Sequence, residues 1–300
     1  MILSIIIPAY NGEYTIEKLF SKIYYELNGK LSFEILFIFD NGTKETWQII
    51  KELKNKFPEF IKAFHLKKNY GQHRAIQFGF SKAQGDFIIT IDEDLQHDPA
   101  DILKLISKQE ESDYDIVYGK FINYQNNAIR NKFSIFSRKI LTRFIPAIYK
   151  YYSPYRLIKK QVALRISEIV SPYVFIDDYL SRVTQKISLV EVTHFKRAIG
   201  KSSYSFAKIF KNGVFIILAY SGLVKWTLIL ASFLLITGTF IFSKGIINNS
   251  ISTYSIANNK IVISTLMTSG LLLLIGLIGA IINRHNTSKN AKQILLYEDE

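Results

Sequence analysis

Between Leu3 and Glu110 a short apolar run alternates, four times over, with a stretch of helical periodicity. Leu3-Ser4-Ile5-Ile6-Ile7-Pro8, Phe33 to Phe39, Ile61 to Leu66 and Phe87 to Ile91 are rich in β-branched and aromatic residues. Runs of that length and composition read as buried strands. Tyr14 to Leu27 puts Ile16, Leu19, Phe20, Ile23 and Tyr24 on one helical face, with Thr15 near its start. Further helices are expected at Thr46 to Phe57, closed by Pro58, at Ala75 to Ala83 before Gly85, and at Pro99 to Glu110. A repeated β-α-β order constrains the fold to a mostly parallel sheet with right-handed crossovers and flanking helices.

In an open α/β sheet, ligands bind outside the carboxyl ends of the strands. Two strand ends carry acids. Phe87 to Ile91 runs into Asp92-Glu93-Asp94-Leu95-Gln96-His97-Asp98-Pro99. If the strand stays extended that far, Asp92 and Asp94 point one way and Glu93 the other. A carboxylate pair of this kind suits a hard divalent cation held by few protein oxygens. A solvated acidic turn is the alternative for the triplet taken alone. The second strand ends in Asp40-Asn41-Gly42-Thr43, by itself an ordinary turn signature. Beside the other acidic strand end, it lines the same crevice.

Composition narrows the partners. The chain has 300 residues and no cysteine, which excludes disulfides, thiolate metal sites and cysteine nucleophiles. Its net charge of +13 favours an anionic partner: nucleic acid, anionic lipid or a phosphorylated substrate. A strand-like run begins at Ile2, without the basic stretch and cleavage site of a signal peptide.

Residues 130–148 interleave bases with large apolar groups, the pattern of a basic amphipathic helix. It reads either as an interfacial membrane segment or as a surface helix packed on the domain. Its aromatics keep core-like spacing and no nucleic-acid module accompanies them, so no nucleic-acid partner is expected.

Leu223 to Phe242 is apolar apart from Lys225, and Ile261 to Ile282 carries no charge. Each has about the ~20 residues that cross a bilayer core. A buried soluble helix hairpin is the alternative. Lys196, Arg197, Lys201, Lys208 and Lys211 precede this pair, and Arg284, Lys289 and Lys292 follow it. Bases on the outer flanks predict both termini and the N-terminal domain in the cytoplasm. The expected organisation is a domain over residues 1–205, a juxtamembrane helix over 206–222, two transmembrane helices within 223–283, and a tail over 284–300 on the cytoplasmic side of the cell membrane. Self-association through the transmembrane helices is a further expectation.

The motifs, taken in order, are Ile7-Pro8-Ala9-Tyr10-Asn11, Phe39-Asp40-Asn41-Gly42-Thr43, and Asn69-Tyr70-Gly71-Gln72 with Ala75. Gly85-Asp86, the Asp92 to Pro99 run, Tyr155-Arg156-Leu157, and Arg197 with Gly200-Lys201-Ser202-Ser203-Tyr204 complete the series. Together they resemble the family 2 glycosyltransferases of GT-A fold, a Rossmann-like α/β class with a mostly parallel sheet. The likeness extends to the polyprenyl-phosphate subgroup, such as dolichyl-phosphate mannose synthases and bacterial bactoprenol glucosyl transferases. A C-terminal two-helix transmembrane hairpin matches the membrane-anchored bacterial members.

The resemblance implies a nucleotide-sugar donor, met by Pro8, Tyr10, Glu13, Ile38, Asp40, Asp92, Glu93 and Asp94. Asp92, Asp94 and Gln96 would hold Mg²⁺ or Mn²⁺ on the diphosphate. The acceptor would be a polyprenyl phosphate, bound by Lys120, Arg130, Ser134, Arg197 and Lys201. Asp94, Arg130 and Arg197 would be catalytic, in an inverting single displacement. Asp177 or Asp178 would join them as base if the acceptor were a hydroxyl of a lipid-linked or cell-surface saccharide. A non-catalytic membrane scaffold is the reading from another class. Four departures from the family pattern stand out: Gly12 displaces Glu13 by one place, Asn41 leaves Asp40 as a lone acid, Lys120 replaces an arginine, and Ser203 a lysine.

Overall fold

The computed structural model describes residues 2–121, 153–170, 175–195, 229–238, 240, 264, 267–276 and 297–298. The chain divides into one unit of Met1–Ser202 with Ala291–Glu300, and a second of Ser203–Asn290.

The first unit is built in the order β1 (Ile2–Ala9), α1 (Ile16–Leu27), β2 (Ser32–Phe39), α2 (Lys44–Lys56), β3 (Ile61–Leu66), α3 (Gln72–Lys82), β4 (Phe87–Thr90) and α4 (Asp101–Glu110). It continues with β5 (Ile116–Phe121), β6 (Arg156–Lys159), α5 (Lys160–Ser167), α6 (Ile176–Val183), β7 (Ile187–Val192) and β8 (Tyr297–Glu298). The sheet order is β7-β5-β6-β4-β1-β2-β3-β8. β1 and β2 are buried beyond their first residues, as strands covered by helices on both faces must be.

Alternation sorts the side chains of β1 between two cores. Leu3, Ile5 and Ile7 join Ile16, Leu19 and Ile50 of α1 and α2, while Ile6 joins Ala75, Phe80 and Ile166 of α3 and α5. The expected parallel pairing of β1 with β2 and β4, and of β2 with β3, is present. Register then places the strand ends. Ala9 pairs with Phe39, Asp40 N–H donates to Ala9 O at 2.7 Å, and Ile91 N–H donates to Ile6 O at 3.2 Å. Tyr10, Asp40 and Asp92 therefore leave the sheet at one edge.

Four strands, β5 to β8, lie beyond the four read from the sequence, and two of them run antiparallel to their neighbours. β6 inserts antiparallel between β4 and β5, and β8 pairs antiparallel with the edge strand β3 at His65 and Leu66. Both are short, with partners far away in the chain, so no local period announces them.

In the second unit, residues 229–238 and 267–276 are helical. Phe233, Ile236, Met267, Leu271, Leu274 and Ile275 are more than half exposed. Small residues are the buried ones: Ala231 and Gly238 on one helix, Ser269 and Gly276 on the other. The Thr237 and Thr268 hydroxyls donate to carbonyls of their own helices. Among the described residues, no helix is long and apolar enough to cross a membrane. Much of the expected spans 223–242 and 261–282 lies outside the described residues, as do the expected helices at 130–148 and 206–222.

Candidate active site

Three loops at the carboxyl ends of β1, β2 and β4 form the site. After β1, the backbone N–H groups of Tyr10 and Asn11 donate to Glu93 Oε2 and Oε1 at 3.0 and 3.2 Å. Burial raises the Glu93 carboxyl above its ordinary value, and the nearby Asp94 and Glu13 charges add to that, against the lowering effect of the two N–H bonds. Gly12 fits because it has no side chain: a Cβ there would meet Glu93 Oε2 at 2.4 Å.

Glu13, displaced by that glycine, accepts from the Thr43 and Thr46 hydroxyls at the start of α2, at 3.0 and 2.9 Å. Burial alone would raise its carboxyl, but bonds from its own backbone, Thr46 and Thr43 bring it below the ordinary value.

After β2, Thr43 N–H donates to Tyr10 O at 3.0 Å. That contact leaves no room at Gly42, where a Cβ would fall 1.4 Å from Tyr10 O. Asp40 is buried, and each of its oxygens takes a backbone N–H at 2.7 Å, from Tyr70 and Gly71. Burial pushes its carboxyl up to about 6 despite these bonds. Asp40 thus fastens the loop that opens α3. Pro8 and Ile38, expected against the donor, are paired neighbours in the sheet and both buried. Ile38 belongs to the core on the α3 face. Tyr10, just past the end of β1, is 41% exposed.

The strand before the acidic triplet does not stay extended, which corrects the premise that pleating orients Asp92 and Asp94. β4 ends at Thr90, and Leu95 adopts φ +61°. Side-chain bonds fix the acids instead. Gln72 Nε2 donates to Asp92 Oδ1 at 2.6 Å, and Gln96 N–H donates to Asp94 Oδ1 at 3.2 Å, a local turn an Asp side chain favours. The Gln96 side-chain amide donates to Phe195 O at 3.3 Å. A bridge between His97 and His194 ties the segment after β7 to this turn. The His97 ring stacks between Phe121 and Tyr155, and burial lowers it to about 4.

Asp92, Asp94 and Gln96 offer only hard oxygens, a donor set that fits Mg²⁺ or Mn²⁺. Among the described residues no three His, Cys, Asp or Glu side chains gather into a site sufficient by itself. Mg²⁺ commonly takes one or two carboxylates and completes its shell with water and substrate phosphates.

Below the crevice lies a buried ionic cluster absent from the sequence reading. Arg156 Nη1 pairs with Asp177 Oδ1, which also accepts from the Tyr118 hydroxyl at 3.0 Å. Arg156 and Asp177 are 1% and 2% exposed. Asp178 is equally buried and accepts from Arg182 Nε at 3.0 Å. His73, partly buried beside this cluster, is lowered to about 4 by burial, with Asp177 raising and Arg156 lowering it. Lys120 is exposed on β5, 3.8 Å from Glu191. Arg130, Ser134, Arg197 and Lys201 lie outside the described residues. Gln72 and Arg156 had a signal in the sequence, since both sit in quoted motifs, but nothing local to either revealed its partner.

A mostly parallel α/β sheet with acids at the ends of β2 and β4, on either side of β1, is the architecture of the GT-A glycosyltransferases. The chain belongs to glycosyl transferase family 2, whose family model matches residues 4–171.

Over 209 residues it is 31% identical to the undecaprenyl-phosphate 4-deoxy-4-formamido-L-arabinose transferase of Enterobacter sp. (strain 638), covering 69% of this chain and 63% of that enzyme. The enzyme of that name from Proteus mirabilis (strain HI4320) is 28% identical over 208 residues, covering 69% and 64%. The chain thus spans a little less than two thirds of the length of these curated relatives. Among solved structures, glucosyl-3-phosphoglycerate synthase from Mycobacterium tuberculosis, in complex with Mn²⁺, UDP-glucose and phosphoglyceric acid, shares the fold. It has a TM-score of 0.53 at 15% identity, over 73% of this chain and 79% of that one.

Proposed function

We propose that the protein is a membrane-anchored, metal-dependent inverting glycosyltransferase that moves a sugar from a nucleotide donor to an undecaprenyl-type phosphate on the cytoplasmic leaflet. The observation that carries the acceptor class is the state of Asp177. A hydroxyl acceptor needs a base to take its proton. Asp177, at the position that would supply it, is 2% exposed and bonded through Oδ1 to Arg156 and Tyr118, with Oδ2 buried as well. Asp178 is equally buried. A phosphate acceptor brings an oxygen that is already anionic and requires cationic positioning instead. Both named relatives carry undecaprenyl phosphate in their names, which supports the same reading.

In this reading the acceptor phosphate oxygen attacks the anomeric carbon as the bond to the nucleoside diphosphate breaks, so configuration inverts. A divalent cation, when bound, offsets the charge that builds on the leaving diphosphate. Asp92, Asp94 and Gln96 would hold it, with Tyr10 and the loop fastened by Asp40 framing the nucleoside. Lys120, Arg130, Ser134, Arg197 and Lys201 would receive the acceptor phosphate.

Large apolar side chains outward and small residues buried suit helices solvated by lipid. Threonine hydroxyls bonded within their own helices suit a medium without water. The first unit gives up the chain after Ser202 and takes it back at Ala291, which supports an even number of crossings.

The test uses membranes containing the full chain, undecaprenyl phosphate and a panel of radiolabelled nucleotide sugars. An organic-extractable, mild-acid-labile product is expected with one donor. Label entering a glycan, with no such lipid product from any donor, would overturn the phosphate acceptor.

A further inference from the structure

Gln72 opens α3, and the site as read so far gives its side chain no part in the reaction. Its Nε2 donates to Asp92 Oδ1 at 2.6 Å. The two residues before it, Tyr70 and Gly71, are those whose backbone N–H groups occupy the two oxygens of Asp40. A continuous path therefore runs from Asp40, just past β2, through the backbone at Tyr70 and Gly71 and the Gln72 side chain, to Asp92, just past β4. β1 separates β2 from β4 in the sheet, so no ladder bond links these two strand ends directly.

Asp92 needs such a partner. It stands beyond the last ladder bond, Ile91 N–H to Ile6 O, in a segment with no pleat to set its direction. Partners that bond a ligating carboxylate fix its rotamer and the direction of its lone pairs. A neutral amide does so without neutralising the carboxylate, whereas a second acid at that place would repel it.

We propose that Gln72 is a positioning residue: it holds the Asp92 carboxylate in the orientation that meets the divalent cation and diphosphate of the donor, and it couples that orientation to the loop Asp40 fastens. The inference rests on Asp92 being a donor-side acid, as proposed above.

The experiment measures Mn²⁺ binding to the full chain in detergent, by electron paramagnetic resonance and calorimetry, with uridine, guanosine, cytidine and deoxythymidine diphosphates as probes. Gln72→Met keeps the length and removes the donor. Its affinity for Mn²⁺ with the tightest-binding diphosphate should fall about tenfold, the lower end for loss of an orienting partner. Its thermal unfolding midpoint should match the wild type. In an Asp92→Asn background the same change should cost nothing further, and Gln72→Lys, which restores a donor, should recover much of the affinity. An affinity unchanged in Gln72→Met but weakened in Asp92→Asn overturns the role of Gln72 alone. An affinity unchanged in Asp92→Asn, or a wild type that binds Mn²⁺ with none of the diphosphates, overturns the donor-side reading of Asp92 and this inference with it.

Discussion

Glu93 Oε2 accepts the Tyr10 backbone N–H at 3.0 Å, so the middle acid of the triplet ties the end of β1 to the end of β4. Its other oxygen takes Asn11 N–H at 3.2 Å. Glu93→Gln turns one of these acceptors into a donor facing an N–H. The expected cost is about 1.5–3 kcal/mol, the range for hydrogen bonds to a charged group. Urea unfolding reads that loss, and KM for the nucleotide sugar should rise with the loosened Tyr10 loop. Asp94→Asn should do the converse, abolishing turnover while the unfolding midpoint stays put. Undiminished turnover in Asp94→Asn would remove the metal assignment.

Two glycines in this region differ in what a methyl group would strike. At Gly12 the obstacles are side-chain atoms, Glu93 Oε2 at 2.4 Å and Ile16 Cδ1 and Cγ1 at 2.9 Å, which can turn where a backbone atom cannot. Gly12→Ala should therefore fold and reproduce the raised KM of Glu93→Gln. At Gly42 the obstacle is the Tyr10 carbonyl at 1.4 Å, a backbone atom held by its strand. Gly42→Ala should cost about 3 kcal/mol or more and lower the yield of folded protein. Equal behaviour of the two variants would contradict this geometry.

Arg156 and Asp177 are each other's compensation for burial. Removing one partner of such a pair costs about 3–5 kcal/mol, because the other is left charged in the interior. Arg156→Met and Asp177→Asn should each be destabilised on that scale in chemical unfolding. Arg156→Met combined with Asp177→Leu should regain much of it. Whatever Asp177→Asn remains folded should keep a KM for the lipid phosphate close to wild type. A selective collapse of kcat in that fraction would instead reveal a base.

Acidification pulls the buried groups in opposite directions. His73 and His97 have folded values of about 4 against 6.5. The unfolded chain therefore protonates first, and stability falls as pH drops from 6.5 toward 4, by about 3 kcal/mol per histidine. Asp40 has a folded value of about 6 against 3.8. Here the folded state takes the proton first, so this group adds stability as pH falls from 6 toward 3.8, by about 3 kcal/mol. Two histidines outweigh one aspartate, so these three groups together should make the metal-free protein lose stability across that window. His73→Gln should remove most of that net slope in urea unfolding at stepped pH. Activity should decline below about pH 6, where protonated Asp40 no longer offers both oxygens to Tyr70 and Gly71.

The return of residues 291–300 to the first unit bears on topology. A reporter fused after Glu300 should read as cytoplasmic, on the same side as one fused before Ile2. An external C-terminal reporter would rule out a two-span hairpin. Truncation before Tyr297 should leave that orientation unchanged and expose the β3 edge at His65 and Leu66, seen as faster amide exchange there.

The sequence by itself determined the alternation of β1 to β4 with α1 to α4 and the edge at which Asp40 and Asp92 emerge. Those features are written locally, in apolar period, in turn residues such as Asn41-Gly42, and in helix stops such as Pro58. The same locality explains what stayed hidden. β6 and β8 are short strands whose partners lie far away in the chain, and Arg156 shows its role only when Asp177 is folded against it. Pleat reasoning aimed Asp92 and Asp94 from a strand that in fact stops at Thr90, so only the tertiary structure decided how those carboxylates are held. Gln72 holds one and the turn at Gln96 the other, while Glu93 fastens a different strand altogether. Strand order follows from periodicity along the chain. The direction of a carboxylate beyond the last ladder bond follows from whichever donor packing brings to it, and no neighbour in sequence specifies that donor.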